Sequence, residues 1–295
     1  MKQPEHHQPV MLTEAIEMLS VKPGNWYIDA TFGRGGHTSK ILALGGLVLA
    51  LDFDQEAIQF AQDHFSEEIT HAKLIIKRAN FTEIETVWRA VASLKNQRPE
   101  GILFDFGTTS DQLLSPTRGF SFDSNAPLDM RMDDRLGVTA ADFLQVLSEK
   151  ELGNIFRNFG GETYAQPIAR KIKQASPVTT TRQLAEIVTK AKPPNRGHLH
   201  PATKVFQALR IIVNSENYNL EQAVPTAFSL LNSKGRFVTL AFHEGEDRFV
   251  KQYFKSLESK SQARLLTPKS LAPTLEEIGL NPRARSTKLR AIEKI

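Results

Sequence analysis

"DATFGRGGHTSKIL", residues 29–42, followed by "LVLALDFD", residues 47–54, decides how the chain is read. An apolar run, "WYIDA" (26–30), meets an acid at Asp29 and passes into a turn carrying Gly33, Gly35 and Gly36. A helical pattern follows, starting near Thr38, and a second apolar run ends in Asp52. Strand, glycine turn, helix and strand in this order make a βαβ unit with parallel strands.

The pattern repeats outward. "KLIIKR" (73–78) and "GILFD" (101–105) are further short, β-branched and Leu-rich runs separated by helical stretches, and "RFVTLAF" (236–242) is a fifth. Continuous apolar strands of this kind belong to a parallel sheet covered on both faces. "ARLLT" and "STKLRAIEKI" read as two more strands, able to close the sheet as an antiparallel edge. A helix is expected from Asn219 to Asn232, with Asn219 as its cap and Pro225 either kinking it or marking its true start.

From Asp105 to Arg236 the chain runs for roughly 130 residues, whereas a crossover needs a dozen or more. The surplus is read as an inserted domain with helical patterning in "TAADFLQVL", "TRQLAEIVTKA" and "PATKVFQALRIIVN". In the last, Val205, Phe206, Leu209, Ile212 and Val213 share one stripe. The expected division is a core of residues 1–112 and 211–295 around a helical, substrate-recognising insertion of 113–210.

Composition bounds the rest. The 295 residues are 40% hydrophobic and 24% charged, with no Cys, which excludes disulfides, thiolate zinc sites and Cys nucleophiles. No metal constellation is evident. No apolar run reaches the roughly 18 residues of a membrane span, and the N-terminal residues lack a signal-peptide core, so a cytoplasmic address is the default. The net charge of +4 is uneven: residues 165–210 carry nine Lys/Arg against the single acid Glu186, and residues 281–295 carry five against Glu293. Such concentration is the footprint of a polyanion partner, with Arg170, Lys171, Lys173, Lys204, Arg283 and Arg285 as candidate phosphate contacts.

The glycine turn is neither a dinucleotide fingerprint, which would need Gly where Thr38 stands, nor a P-loop. Asp52 ends strand two, where an acid accepts from both ribose hydroxyls of an adenosine-bearing ligand; Asp54 reads instead as a helix cap. Without the third glycine a pyrophosphate fits poorly, and a smaller head group with amine and carboxylate, as in S-adenosylmethionine, fits better. Phe81, after strand three, stands where an aromatic flanks adenine or simply packs in the core. "GILFDFGTTSDQ" (101–112) contains the kinase triplet Asp-Phe-Gly, but the kinase lysine strand and catalytic loop are absent, so Asp105 is not read as a kinase magnesium ligand.

"HQPVML" (7–12), "YIDATFGRGGHT" (27–38), "RGFSFDSNAPLDMRMD" (118–133), "HPATKVFQALRIIVNSE" (200–216), "RFVTLAFHEGEDR" (236–248) and "NPRARSTKLR" (281–290) together resemble the bacterial small-subunit ribosomal RNA cytidine N4-methyltransferases, the RsmH or MraW type. The resemblance implies a Rossmann-like class I S-adenosylmethionine methyltransferase core, mostly parallel and doubly wound, with an inserted helical domain. It implies methyl transfer to the exocyclic amine of a cytidine in the decoding region. Its cofactor contacts fall on Gly35, Gly36, His37, Asp52, Phe81, Asp105 and Gln112. Two departures stand near the expected chemistry. Thr108-Thr109-Ser110-Asp111 replaces the family's Val-Ser-Ser-Pro, and Glu244-Gly245 replaces Ser-Leu after His243.

The reaction needs an acceptor that draws a delocalised amine out of plane and a site that positions it. Asp105, Thr109, Ser110 and His243 are the catalytic candidates; Asp105 either accepts from the amine or anchors the methionine ammonium, and His243 shapes the base pocket or relays the proton. The base must leave its stack, with Phe106, Phe120 and Phe122 as aromatic candidates. The partner is small-subunit ribosomal RNA or the assembled subunit; no protein partner is evident and a homodimer is left open. The alternatives are a methyltransferase of another RNA position and a catalytically silent RNA-binding or assembly factor.

Overall fold

The structure, a computed structural model, describes residues 9–91, 94, 96–107, 115–122, 125–193 and 200–295, apart from the Arg283 side chain. Two compact units emerge: residues 1–107 with 217–295, and residues 108–216. In chain order the first unit holds α1 (Leu12–Leu19), β1 (Trp26–Asp29), α2 (Gly36–Ala43), β2 (Leu47–Asp52), α3 (Gln55–His64), α4 (Ser66–Thr70), β3 (Leu74–Arg78), α5 (Ile84–Ala90) and β4 (Gly101–Phe106). The second holds α6 (Ala140–Val146), α7 (Glu149–Asn158), α8 (Ala165–Ala175), α9 (Thr181–Ala191) and α10 (Thr203–Val213). The first unit then resumes through α11 (Glu216–Leu230), β5 (Arg236–Ala241), α12 (Glu244–Ser259), β6 (Ala263–Leu265), α13 (Leu275–Leu280) and β7 (Lys288–Lys294).

The sheet runs β3-β2-β1-β4-β5-β7-β6. The first five strands are parallel, and β7 is antiparallel to both β5 and β6. This is the expected doubly wound α/β class with its antiparallel edge. The strand order reverses between β1 and β4, the place where such sheets leave a crevice beyond their carboxyl ends.

Alternation along the strands feeds two cores. Ile28, Leu49, Leu51, Ile102, Phe104 and Phe237 face a layer that includes Trp88, Val224, Phe228 and Phe254. Tyr27, Val48, Ala50, Leu103, Val238 and Leu240 face Ile16, Leu19, Ile41 and Ala57. Both faces of the central strands are therefore dry, as the unbroken apolar runs require.

Helix starts are locally encoded. Asp54 caps α3, its Oδ1 accepting from Glu56 N–H at 3.0 Å. Thr139 with Asp142, Ser148 with Glu151 and Thr180 with Gln183 form reciprocal capping boxes at α6, α7 and α9. Three expectations change. α11 starts at Glu216, so Asn219 lies inside the helix and not at its cap, and Pro225 is internal and does not mark its start. In α10 it is Ile211 that is buried, while Ile212 is only partly so. Among the described residues no helix is long and apolar enough to cross a membrane.

Candidate functional site

Three carboxylates stand at the carboxyl ends of three neighbouring strands around the switch point: Asp52 and Asp29 as the last residues of β2 and β1, and Asp105 as the last but one of β4. The parallel register sets them there, since Asp29 lies opposite Ala50 on one side and Leu103 on the other.

The loop from β1 into α2 fills the space above them. Phe32 N–H donates to Leu51 O, and Gly35 N–H to Phe32 O at 2.7 Å, so the turn is tight. Gly35 has φ of +69°, and a Cβ there would stand 2.7 Å from the Phe32 ring and 2.8 Å from Phe65; no other residue fits. Gly36 opens α2, and a Cβ on it would meet the Pro9 ring at 2.7 Å. The helix therefore begins two residues before the Thr38 expected from sequence.

Each carboxylate has a distinct environment. Asp52 accepts from Gly33 N–H at 2.8 Å on Oδ2 and from Asp54 N–H at 2.9 Å on Oδ1. A carboxylate offers about four lone-pair sites, so both oxygens retain capacity toward a further donor. Asp29 accepts from the Thr38 hydroxyl at 2.7 Å and from Thr31 N–H at 3.2 Å. Asp105 donates its own N–H to Thr31 Oγ1 at 2.7 Å, which fixes its backbone, yet its buried Oδ1 accepts no hydrogen bond among the described residues. Its Oδ2 lies 3.9 Å from Nδ1 of the buried His37, whose Nε2 donates to Val10 O at 3.2 Å.

Burial is the main force on all three acids. It pushes Asp29 up to about 6 against the Thr38 and Thr31 hydrogen bonds. It pushes Asp52 up to about 7 despite the Asp54 and Gly33 amides. Asp105 rises furthest, to about 8, from burial and from the neighbouring charges of Asp29 and Glu246. A cluster of this kind favours a ligand that brings positive charge and N–H or O–H donors.

His243 occupies a different position from that of an exposed base. It is the N-cap of α12, and its Nδ1 accepts from Gly245 N–H at 3.1 Å and Glu246 N–H at 3.4 Å. Glu246 reciprocates, its Oε2 accepting from Phe242 N–H at 2.8 Å and His243 N–H at 3.2 Å. An accepting Nδ1 places the neutral ring's proton on Nε2, which lies 3.1 Å from Glu246 Oε1. Behind this cap, Asp247 binds Arg290 of β7 at 2.7 Å, both side chains buried, and Lys288 at 3.2 Å.

The structure thus gathers Gly35, Gly36, His37, Asp52 and Asp105 at one end of the sheet. Phe81 is partly buried and meets Phe104 and Phe106 edge-on, with ring centroids 5.5 and 6.2 Å apart. Thr109, Ser110 and Gln112 lie outside the described residues, as does the altered 108–111 stretch. Asp29, Thr31, Thr38 and Glu246 are positioned at the site although sequence reading assigned them no role. An acid closing an apolar run, the signal that selected Asp52 and Asp105, is equally present at Asp29.

The cationic candidates divide. In the second unit Lys173 donates to Leu144 O and Gln145 O at the end of α6, and Lys204 donates to Gly161 O. These two ammonium groups serve that unit's own backbone. Arg170 faces Glu149 at 3.3 Å while Lys171 is exposed. In the first unit Arg285 is exposed, and the Arg283 side chain is outside the description. Phe106 and Phe120 are buried and Phe122 is partly so.

A profile of the MraW methylase family matches residues 4–295. Proteins called ribosomal RNA small subunit methyltransferase H are similar along the whole length. That of Syntrophotalea carbinolica is 42% identical over 98% of each chain. That of a Cyanothece species is 43% identical over 98% of this chain and 95% of its own, and that of Caldicellulosiruptor saccharolyticus is 39% identical over 98% and 99%.

Proposed function

The chain belongs to the MraW methylase family, and from that membership we propose that it methylates small-subunit ribosomal RNA, at the exocyclic N4 amine of a cytidine in the decoding region. The full-length likeness to proteins named for small-subunit ribosomal RNA methylation carries the reading. The site's chemistry supports it. S-adenosylmethionine, when bound, supplies an electrophilic methyl group on a sulfonium centre. The donor set fits that molecule: buried carboxylates suit its positive charge, and the unpartnered Asp105 Oδ1 suits an N–H donor.

Asp52 would accept from the ribose hydroxyls with the lone pairs that Gly33 and Asp54 leave open. The glycine turn lets its backbone approach the ligand closely. Asp105 either anchors the methionine ammonium or accepts from the cytosine amine; each role places an N–H against Oδ1. The amine is a weak nucleophile, so holding it in line is the main contribution asked of the protein, on the order of several kcal/mol. His243, with Nδ1 engaged by two amides, shapes the end of β5 and holds α12 in place, a role that suits the geometry better than proton relay.

The deciding experiment is labelled methyl transfer to unmodified small ribosomal subunits and to the free RNA, followed by nucleoside analysis. N4-methylcytidine is expected. Label in another nucleoside moves the target, and cofactor binding without transfer favours a silent assembly factor.

A further inference from the structure

We propose that His200 is a stacking platform for an unpaired nucleobase of the RNA substrate, an inference that rests on the RNA-methylating reading above. The observation is a set of rings in the second unit. The imidazole of His200 lies on the Phe122 ring with centroids 4.2 Å apart and planes 14° from parallel. Phe122 in turn meets Phe206 edge-on at 5.6 Å and 90°. Phe206 is buried on α10, Phe122 is partly buried and His200 is exposed, so the stack climbs from core to surface.

The outermost ring is held twice. α10 has Ala202 at its N-cap, which offers no side-chain acceptor, and His200 Nδ1 takes the Ala202 N–H at 3.2 Å. That bond fixes the ring plane and puts the neutral ring's proton on Nε2. The result is a preorganised flat surface with an N–H at one edge. Packing alone gives no reason to expose it, because the apolar member of the pair is the one turned inward.

Single-stranded RNA is recognised by stacking splayed bases on rings of this kind, including His. Stacking is worth about 1–3 kcal/mol per base by substitution, which is roughly 5- to 150-fold in affinity. Of the cations over 165–210, Arg170, Lys190, Lys192 and Arg210 face carboxylates and Lys173 and Lys204 face carbonyls, which leaves the exposed Lys171 and Arg182, among the described residues, to draw a phosphate backbone to the same unit.

Two substitutions separate stacking from capping. His200→Asn keeps a side-chain acceptor for the Ala202 N–H and removes the ring; His200→Phe keeps the ring and removes the acceptor. The probe is a short single-stranded RNA carrying 2-aminopurine, with binding followed by quenching and folding checked by circular dichroism. Wild type should quench the probe, His200→Asn should bind roughly 5- to 150-fold more weakly, and His200→Phe should stay within about threefold of wild type. Equal affinity of wild type and His200→Asn overturns the platform, as does a loss in His200→Phe matching that in His200→Asn. Absence of quenching by wild type overturns it too. Wild-type protein that quenches the probe yet transfers no methyl to small subunits overturns the functional reading and leaves the platform standing.

Discussion

The Gly33 N–H donates to Asp52 Oδ2 at 2.8 Å, tying the turn after β1 to the end of β2. The carboxylate placed to receive a ribose therefore also holds the loop that would lie over it. Two substitutions divide these duties. Asp52→Asn retains one of the two acceptor oxygens that Gly33 and Asp54 use, and no charge; Asp52→Ala retains neither. Hydrogen bonds to a charged group are worth about 1.5–3 kcal/mol, so both variants should bind S-adenosylmethionine at least about tenfold more weakly by calorimetry. Asp52→Ala should show faster hydrogen exchange at Gly33 than wild type. Exchange at Gly33 in Asp52→Ala equal to that in wild type would mean that the bond does not order the loop.

Cofactor affinity should rise with pH. Asp29, Asp52 and Asp105 sit at about 6, 7 and 8, all above the ordinary 3.8. The folded state keeps these protons when the unfolded chain has released them. The resulting cost is absent below pH 4 and grows as pH climbs toward 8. A bound cation lowers the three values and expels protons, so binding near pH 6.5 should release protons in calorimetry with buffers of different ionisation heat. Proton uptake would contradict the cationic-ligand assignment.

Replacing His243 should reveal a cap more than a base. His243→Asn is expected to keep the melting temperature and most of the turnover, whereas His243→Ala should lose about 0.5–2 kcal/mol of stability. Should folded His243→Asn lose turnover by orders of magnitude with cofactor affinity intact, the ring itself takes part in the chemistry.

Lys171 and Lys173 are near neighbours with opposite expectations. Lys173 donates to two carbonyls at the end of α6, so Lys173→Ala should lower thermal stability. Lys171 is exposed, and Lys171→Ala should leave stability unchanged while reducing the salt dependence of RNA binding by about one unit of slope. A filter-binding salt titration beside a melting curve distinguishes them.

Arg290→Ala should destabilise the first unit by up to about 3–5 kcal/mol, because it leaves the buried Asp247 carboxylate to the half-exposed Lys288 alone among the described cations. Although burial works against it, Asp247 is held below the usual carboxylate range by Arg290 and Lys288. That contribution is present at neutral pH and fades as pH falls through the depressed value, so the gap between wild type and Arg290→Ala in denaturant midpoint should narrow in acid.

What could be read from sequence followed from how local each signal is. β2 and β4 declared themselves because central parallel strands are apolar on both faces, and Asp52 and Asp105 stood out as the acids that end them. The Asp54 cap needed only its own neighbours. The commitments of Lys173 and Lys204 were invisible, because the carbonyls that they meet belong to other elements distant in sequence. The orphaned oxygen of Asp105 and the double amide contact of His243 likewise exist only once the chain has folded. α7 and α8 went unassigned, although Ser148 and Glu151 at capping-box spacing mark the start of the first.

β4 and β5 lie side by side, Phe106 opposite Ala241, yet about 130 residues separate them. On a ribosome elongating at roughly 5–20 residues per second, β4 has no lateral partner on that side for on the order of ten seconds. During that interval an apolar strand with unpaired amides and carbonyls is open to wrong pairing, with other nascent chains included. Slower synthesis lengthens that exposed interval and faster synthesis shortens it.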